Sequence, residues 1–259
     1  MREAVIVSTA RTPIGRAFKG SLNNIKSPTM TAHAIQHAVE RAGISGDDIE
    51  DVIIGSVLNA GTAANNIARL SALAAGLPVT ASGQTIDRQC SSGLMAIATA
   101  AKQIMVDGMD VIIAGGQENI SAIQAPYFKW SAETADPNVI KHHQNAYMPM
   151  LQTAEFVANK YGISREQQDE YALESQIRTA RAQEAGRFDA EIAPISTTQA
   201  IINKETQEIS YKEVTLSKDE GNRPSTTLES LKSLRTVIEA GCITAGNASQ
   251  LSDGASACV

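Results

Sequence analysis

Short apolar runs alternate with helical stretches over the first third of the sequence, and this alternation constrains the fold more than any other feature. The apolar runs occupy residues 3–8, 51–58, 82–86 and 110–114, and the helical patterns occupy residues 28–42, 65–75 and 91–107. We expect Gly115 and Gly116 to end the last of these strands. Helices of this length between strands predict βαβ units, in which helices cover a largely buried sheet. Only 4% of the residues are aromatic, and the abundance of small apolar residues suits an α/β fold with closely packed layers.

Several helices carry recognisable signals at their ends. Ser27 is a candidate N-cap for the first helix, with Pro28 at its first helical position. In residues 164–185, Ser164 is a candidate N-cap and Gln167 would complete a capping box. Residues 91–107 are apolar on most sides, which predicts a helix that protein nearly surrounds in a complete molecule.

The pattern changes after residue 118, where helical stretches continue but strand-like runs become rare. Two short candidate strands remain, at residues 192–195 and 209–214. We interpret residues 119–245 as an inserted α/β subdomain, and residues 1–118 together with 246–259 as the core. Residues 255–259 have the composition of a buried strand, so we expect the chain to be the N-terminal part of a longer protein.

Charge and composition argue against several classes of function. The net charge is −6 and the isoelectric point is near 5.3, which is unlike the basic balance of a general nucleic-acid-binding protein. No apolar run approaches the roughly 20 residues of a membrane span, and the N-terminal run is too short for a signal peptide. We therefore expect a cytoplasmic protein that binds neither nucleic acid nor membrane.

The cysteines and histidines predict neither a disulfide framework nor a metal site. Three cysteines, at positions 90, 242 and 258, are odd in number and irregularly spaced. Buried packing is the simplest interpretation of Cys242 and Cys258. His33 and His37 fit one exposed or structural helix face, and residues 142–143 place two more histidines in a solvated loop.

Cys90 is the residue that carries the chemistry in this interpretation. It lies between a predicted strand and a predicted helix, in the segment 87–93 (Asp-Arg-Gln-Cys-Ser-Ser-Gly). A strand–turn–helix can point such a side chain out of the sheet edge. The free N–H groups and the dipole of a helix start favour a thiolate, and they can stabilise an oxyanion on an attacked carbonyl. The spacing alone allows a second interpretation, in which Cys90 packs beneath the helix. For Ser91 and Ser92 we favour helix capping.

Five segments, in order along the chain, resemble the thiolases. Residues 5–15 (Val-Ile-Val-Ser-Thr-Ala-Arg-Thr-Pro-Ile-Gly) are similar to the family's opening, and residues 87–95 to its acyl-carrier cysteine motif. Residues 115–121 (Gly-Gly-Gln-Glu-Asn-Ile-Ser) resemble the segment after the family's fourth strand. Residues 244–249 and 251–255 resemble the segment that leads into its fifth strand. The resemblance implies a thiolase-like layered fold: a βαβαβαββ first half with a mixed sheet, and an inserted α/β loop subdomain.

The resemblance also implies an activity. Thiolases cleave 3-ketoacyl-CoA with CoA, or run the reverse condensation, through an acylated cysteine that matches Cys90. A histidine activates that cysteine and a second cysteine moves the α-carbon proton. In the family both groups lie in a second half that this sequence does not contain. The family implies CoA and acyl-CoA as substrates, no separate cofactor, and a homodimer or homotetramer as the full-length enzyme.

Four residues match CoA-contacting positions of the family. Met150 matches a position beside the pantetheine, Arg223 matches a nucleotide-contacting arginine, Ser249 matches a serine near the pantetheine, and Ser230 lies in the nucleotide-contacting stretch. Each has a structural interpretation too: Met150 as core filler, Arg223 as a solvated turn charge, Ser249 as a turn residue. Gln250 stands where many acetoacetyl-CoA-type members have glycine, and together with residues 222–230 it favours the broader-chain 3-ketoacyl-CoA thiolases.

Three other functions stay open on the sequence. An acetyl-CoA C-acetyltransferase would condense two acetyl-CoA molecules to acetoacetyl-CoA. A ketoacyl-synthase-like condensing enzyme would share the fold and the cysteine but lack the long insertion at residues 119–241. A non-catalytic thiolase-like binding protein would have no need for Cys90.

Overall fold

A computed structural model describes residues 2–259, which divide into two compact units. The first unit contains the described part of Met1–Tyr127, with Ala190–Gly221 and Leu251–Val259. The second contains Phe128–Asp189 and Asn222–Gln250. Residues 190–221 belong to the predicted insertion at 119–245, and they pack with the first unit. The predicted domain boundaries stay a prediction.

The described residues form eight strands and eight α-helices. The strands are β1 (Thr9–Arg11), β2 (Gly15–Arg16), β3 (Asp51–Gly55), β4 (Ser82–Ile86), β5 (Ile112–Asn119), β6 (Ile195–Ile202), β7 (Ile209–Leu216) and β8 (Ser252–Cys258). The helices are α1 (Ser27–Ala42), α2 (Ile67–Ala74), α3 (Ser92–Lys102), α4 (Ile120–Glu133), α5 (Pro137–His142), α6 (Met150–Tyr161), α7 (Arg165–Glu184) and α8 (Leu228–Lys232). Their alternation over the first third follows the sequence prediction.

The first unit contains a mixed sheet with the strand order β1-β8-β5-β3-β4, and β2 also pairs with β8. Strand β3 is parallel to both β4 and β5. Strand β8 is antiparallel to β1 and β5, so the last strand in sequence lies between the first strand and an interior one. The predicted mixed sheet is confirmed.

Helices cover both faces of this sheet, because successive strand residues alternate between the two faces. On one face, Val52 and Ile54 of β3 pack in a core with residues of α1 and α2. On the other face, Ile53 packs with Ala96 and Ala100 of α3. Burial on both faces explains why β3 is a continuous apolar run rather than an alternating one.

The described residues cover helix α3 along a single stripe of its surface. Ser92, Ala96 and Ala100 recur every fourth residue and are buried. Leu94 on the same helix is 71% exposed, and Val106, in the π-helical turn Gln103–Asp107 that follows, is 74% exposed. The sequence predicted a helix surrounded by protein in a complete molecule, and this chain supplies only one of its sides.

Three local predictions are wrong. The first strand covers Thr9–Arg11 rather than residues 3–8, although the Val7 N–H also donates to the Val259 carbonyl at 2.8 Å. The N-cap of α1 is Lys26, and Ser27 is buried inside the first turn.

Strand β5 is the third correction, because it continues through Gly115 and Gly116 instead of stopping there. A Cβ on Gly115 would lie 2.0 Å from the Ser256 carbonyl oxygen. Glycine at this position therefore allows β8 to approach β5 closely, and it does not end the strand.

The second unit is organised around α7. The predicted capping box is confirmed: the Gln167 N–H donates to Ser164 Oγ at 3.2 Å, and the Ser164 N–H donates to Gln167 Oε1 at 2.9 Å. Asp169 on this helix is fully buried. Its carboxylate accepts from Arg165 Nε at 2.7 Å and from the Asn247 amide at 3.0 Å. A buried charge held in this way ties the helix to residues 222–250 of the same unit.

No helix within residues 2–259 combines the length and the apolar character that a membrane span requires.

Candidate active site

Cys90 lies in a tight turn between the end of β4 and the start of α3, as the sequence predicted. Gln89 adopts a left-handed backbone conformation with φ of 51°, which is uncommon for a residue other than glycine. The Asp87 carboxylate accepts a hydrogen bond from the Gln89 N–H at 2.9 Å and so supports this conformation. Such a conformation typically costs about 1–3 kcal/mol, and it occurs often at functional sites.

Two serines brace the turn, although neither caps the helix as predicted. Ser91 occupies the N-cap position of α3 without a capping bond from its side chain. Its hydroxyl donates to the Arg88 carbonyl at 2.8 Å instead. The buried Ser92 hydroxyl accepts from the Arg88 N–H at 2.8 Å and donates to the Gln89 carbonyl at 2.6 Å. These bonds fix the backbone on both sides of Cys90.

Glycines seat the start of α3 on the edge of the sheet. A Cβ on Gly55, the last residue of β3, would lie 2.3 Å from the Ser92 carbonyl carbon. A Cβ on Gly116 of β5 would lie 3.4 Å from the Gly93 Cα. Gly55, Ile86 and Gly116 are level with one another in the parallel strands β3, β4 and β5. The turn therefore lies at the carboxyl ends of the parallel strands β3 and β4, beside Gly116 within β5. Ligand sites of open α/β sheets occur at such strand ends.

The three thiols differ in environment. Cys90 is exposed, Cys242 is partly buried and Cys258 is buried. Burial raises the pKa of Cys242, whose Sγ lies 3.1 Å from a Glu155 carboxylate oxygen and 3.2 Å from Gln168 Nε2. Burial also raises the pKa of Cys258 in β8. Cys90 is therefore the thiol that is both accessible and placed just before a helix.

Glu118 is a residue of this region to which sequence reasoning assigned no role. Its carboxylate accepts from the Val57 N–H at 3.0 Å and from the Leu58 N–H at 3.1 Å. Burial raises the pKa of Glu118, the two N–H groups oppose that change, and the charge of Asp87 adds to it. The sequence signal was its place in residues 115–121, one of the five segments quoted above, two residues beyond the Gly-Gly pair.

Two of the segments quoted above meet in the structure. The buried Asp253 carboxylate, in β8, accepts from the Ser121 N–H at 2.8 Å and also from the Ser121 hydroxyl. Ser121 lies in the first turn of α4, so Asp253 satisfies a free N–H group at that helix start. Burial raises the pKa of Asp253. The contact joins residues 115–121 to residues 251–255, two segments that are more than a hundred residues apart in the sequence.

A family model described as the thiolase N-terminal domain matches residues 4–259. The chain belongs to the thiolase family. The 3-ketoacyl-CoA thiolase of Bacillus subtilis is 42% identical over 260 residues, covering 99% of this chain and 65% of that protein.

Solved structures agree with this assignment to the thiolases. The acetyl-CoA acetyltransferase of Bacillus anthracis matches with a TM-score of 0.83 and 35% identity, covering 100% of this chain and 66% of that one. A human mitochondrial 3-ketoacyl-CoA thiolase in complex with CoA matches with a TM-score of 0.82 and 33% identity, covering 99% of this chain and 64% of that one. The predicted thiolase-like α/β fold is confirmed. The chain spans about two thirds of the length of these relatives.

The four residues of the thiolase chain predicted to contact CoA all lie in the second unit, whereas Cys90 lies in the first. Met150, at the start of α6, is 75% exposed, so its interpretation as core filler is wrong. Arg223 is exposed, and its N–H donates to Gln176 Oε1 at 2.8 Å. The exposed guanidinium fits either a turn charge or an anion contact.

The two serines have local hydrogen bonds of their own. The Ser230 N–H donates to Thr227 Oγ1 at 3.1 Å, and the Thr227 N–H donates to Ser230 Oγ at 3.0 Å, which makes a capping box for α8. The exposed Ser249 hydroxyl donates to the adjacent Gln250 carbonyl at 3.3 Å. CoA binding by these four residues stays a prediction.

The histidine pair of α1 lies beside a cleft that does not include Cys90. His33 and His37 contact edge to face, with ring centroids 4.6 Å apart. His33 lines a shallow cleft of about 420 Å³ together with residues of α1, Ala74 and residues 194–196. We favour the Cys90 turn over this cleft as the candidate site, because only the turn presents a nucleophile. Among residues 2–259, no group of three or more His, Cys, Asp or Glu side chains is arranged to hold a metal ion.

Proposed function

We propose that the protein is an acyltransferase of the thiolase type, which cleaves 3-ketoacyl-CoA with CoA to give acetyl-CoA and a shortened acyl-CoA. The Cys90 sulfur attacks the keto carbonyl, the bond between the α- and β-carbons breaks, and the acyl group stays on Cys90 as a thioester. The leaving acetyl-CoA carbanion takes up a proton. A CoA thiol then takes the acyl group and frees Cys90.

One observation carries this proposal: an exposed thiol in a braced, left-handed turn at the start of a helix. In this position, the Cys90 N–H can stabilise the oxyanion that forms when the carbonyl is attacked. The Ser91 and Ser92 N–H groups donate instead to the Arg88 and Gln89 carbonyls. The match of the thiolase family model over residues 4–259 supports the reaction class. The CoA named for the human mitochondrial relative supports CoA thioesters as substrates. That no separate cofactor takes part is proposed from the family resemblance alone.

The second candidate is acetyl-CoA C-acetyltransferase activity, in which two acetyl-CoA molecules condense to acetoacetyl-CoA. The name of the structurally similar Bacillus anthracis protein favours it. Gln250 and the stretch around Arg223 favour the broader-chain activity instead. A ketoacyl-synthase-like enzyme or a non-catalytic binding protein is less consistent with the family match and with the exposed Cys90.

The relatives are about half as long again as this chain, and the resemblance places the activating histidine and the second cysteine in the part that they add. We propose that the chain alone forms acyl-Cys90 but does not turn over. The loss of one oxyanion donor costs about 10²–10³ in rate. The loss of a proton-transfer group costs roughly 10²–10⁴ more. The resemblance also supports a homodimer or homotetramer that acts in fatty-acid metabolism, and the bacterial relative supports a cytoplasmic location.

The test is mass spectrometry of the chain after incubation with acetyl-CoA. An acetyl adduct on the Cys90 peptide, absent from Cys90→Ser, is the expected result. Steady-state thiolysis of acetoacetyl-CoA and of a longer 3-ketoacyl-CoA, with this chain and with a form as long as the relatives, tests the rest. Full activity of the 259-residue chain would contradict the proposed division of roles. The absence of any Cys90 adduct in both forms would contradict the proposed function.

A further inference from the structure

The Glu118 carboxylate lies beyond the end of β3, the central strand of the parallel group β5-β3-β4. Strand β3 lies between β5, which carries Glu118, and β4, which leads to Cys90. From β5 the side chain reaches the N–H groups of Val57 and Leu58, which follow the end of β3. It occupies the same edge of the sheet as the Cys90 turn.

Two contacts connect the Val57–Leu58 turn to the Cys90 turn. The Ser56 N–H donates to the Ile86 carbonyl at 3.0 Å, at the last residue of β4. Gly55 lies directly against the Ser92 backbone, and the Ser92 hydroxyl braces both sides of Cys90. A displacement of the turn after β3 would therefore be transmitted to the backbone that positions the Cys90 thiol.

We propose that Glu118 is a positioning residue of the acyl-transfer site, and that its ionised carboxylate holds the Val57–Leu58 turn so that Cys90 is reactive. The inference rests on the proposed function for its biological meaning but concerns the reactivity of the thiol itself. An ionised carboxylate offers an acceptor oxygen to each N–H group. A protonated carboxyl, or a glutamine, offers one acceptor and one donor, so one of the two N–H bonds is lost.

Few charged groups face Glu118. Asp87, after β4, carries a like charge and disfavours ionisation of Glu118. Arg88 in the same turn donates from Nη1 to Met95 Sδ at 3.2 Å. The turn after β3 carries no ionisable side chain at residues 56–59, and the residue opposite Glu118 on β8 is Gly254. Burial has the larger effect on the ionisation of Glu118, and Asp87 is the neighbouring charge that adds to it.

The test is the rate of Cys90 alkylation by iodoacetamide, read from the Cys90 peptide between about pH 4.5 and 8. This range begins just above the ordinary Glu pKa of about 4.3, so it covers the values to which a pKa can be raised. In the wild type, the alkylation rate should rise steadily with pH as the fraction of thiolate grows. A separate inflection in the acid range should mark the ionisation of Glu118. Glu118→Gln should remove that inflection and lower the rate at neutral pH by about three- to tenfold, the equivalent of one hydrogen bond.

Glu220→Gln is the matched control, because the Glu220 carboxylate also accepts from two N–H groups of the first unit, those of Arg16 and Ser21. It should retain the wild-type profile. A Glu118→Gln profile that coincides with the wild type or shows faster alkylation would overturn the proposal, and so would an equal change in Glu220→Gln.

Asp87→Asn provides a second measurement that does not require Glu118→Gln to fold. It retains the acceptor for the Gln89 N–H but removes the neighbouring charge. The inflection should move to lower pH, and an unmoved inflection would overturn the proposal. Because iodoacetamide carries no CoA, these results are independent of the acetyl-CoA experiment. A failure of the proposed function would appear as a missing acetyl adduct with the alkylation profile intact.

Discussion

Gly55 and Ser92 are in direct backbone contact: a Cβ added at position 55 would lie 2.3 Å from the Ser92 carbonyl carbon. This contact seats the first turn of α3 on the carboxyl end of β3, and it leaves no room for any side chain. The position of the Cys90 turn therefore depends on the absence of one methyl group from a neighbouring strand.

The first prediction follows from that contact. Gly55→Ala should destabilise the protein by about 1–3 kcal/mol, the usual cost of overpacking. It should also slow Cys90 alkylation, because α3 must shift away from the sheet. Gly93→Ala is the control on the other side, since a Cβ there would be 3.9 Å from the Gly115 carbonyl, an ordinary contact. Denaturant unfolding and the alkylation rate measure both effects, and equal stability of the two variants would contradict the packing argument.

The second prediction concerns the order in which the thiols react. Iodoacetamide at mildly acidic pH should modify Cys90 before Cys242 or Cys258, because Cys90 is exposed and burial raises the pKa of the other two. Peptide mass spectrometry over time measures the order. In Cys90→Ser, early labelling should disappear without any faster reaction of the remaining thiols. Simultaneous labelling of all three in the folded protein would show that the Cys90 turn confers no special reactivity.

The third prediction compares two arginines of α7. Arg165→Met should destabilise the second unit by about 3–5 kcal/mol, because it leaves the fully buried Asp169 carboxylate without its cation. Arg178 forms the same i,i+4 pair with Glu174, but both side chains are exposed. Arg178→Met should leave the unfolding midpoint almost unchanged. Thermal unfolding and hydrogen exchange in α7 test the pair, and similar losses for both variants would disprove the distinction.

The fourth prediction is a pH dependence from α1. Burial, and then the neighbouring His37, lower the pKa of His33 below its ordinary value of 6.5. The unfolded chain therefore binds a proton at higher pH than the folded chain, so stability is lost as pH falls below about 6.5 toward the lowered folded-state pKa. His37→Gln removes the repulsion and should make this loss smaller. Unfolding midpoints at neutral and mildly acidic pH provide the measurement, and an unchanged difference would exclude His37 as a cause.

The sequence predicted best what depends on neighbouring residues. The Ser164–Gln167 capping box needs only two side chains three positions apart, and it is present. The strand at Ser82–Ile86 and the turn at Cys90 were likewise recognisable from one short segment.

Features that depend on distant residues were missed or misread. The glycines of β5 were read as a strand end because their purpose, the close approach of Ser256, lies over a hundred residues away. Glu118 was assigned no role, since the N–H groups that it binds are 60 and 61 residues earlier. Ser27 looked like a cap, yet the position of α1 buries it.

The place of β8 in the sheet has a consequence for synthesis on the ribosome. Strands β3, β4 and β5 can pair as soon as residue 119 has emerged, but the edge of β5 stays open until residues 252–258 arrive. At typical elongation rates the interval is on the order of ten seconds. During that time the nascent chain exposes an unpaired strand edge, a form of surface that favours aggregation. Chaperone capture of the nascent chain should therefore be strongest between the emergence of β5 and that of β8.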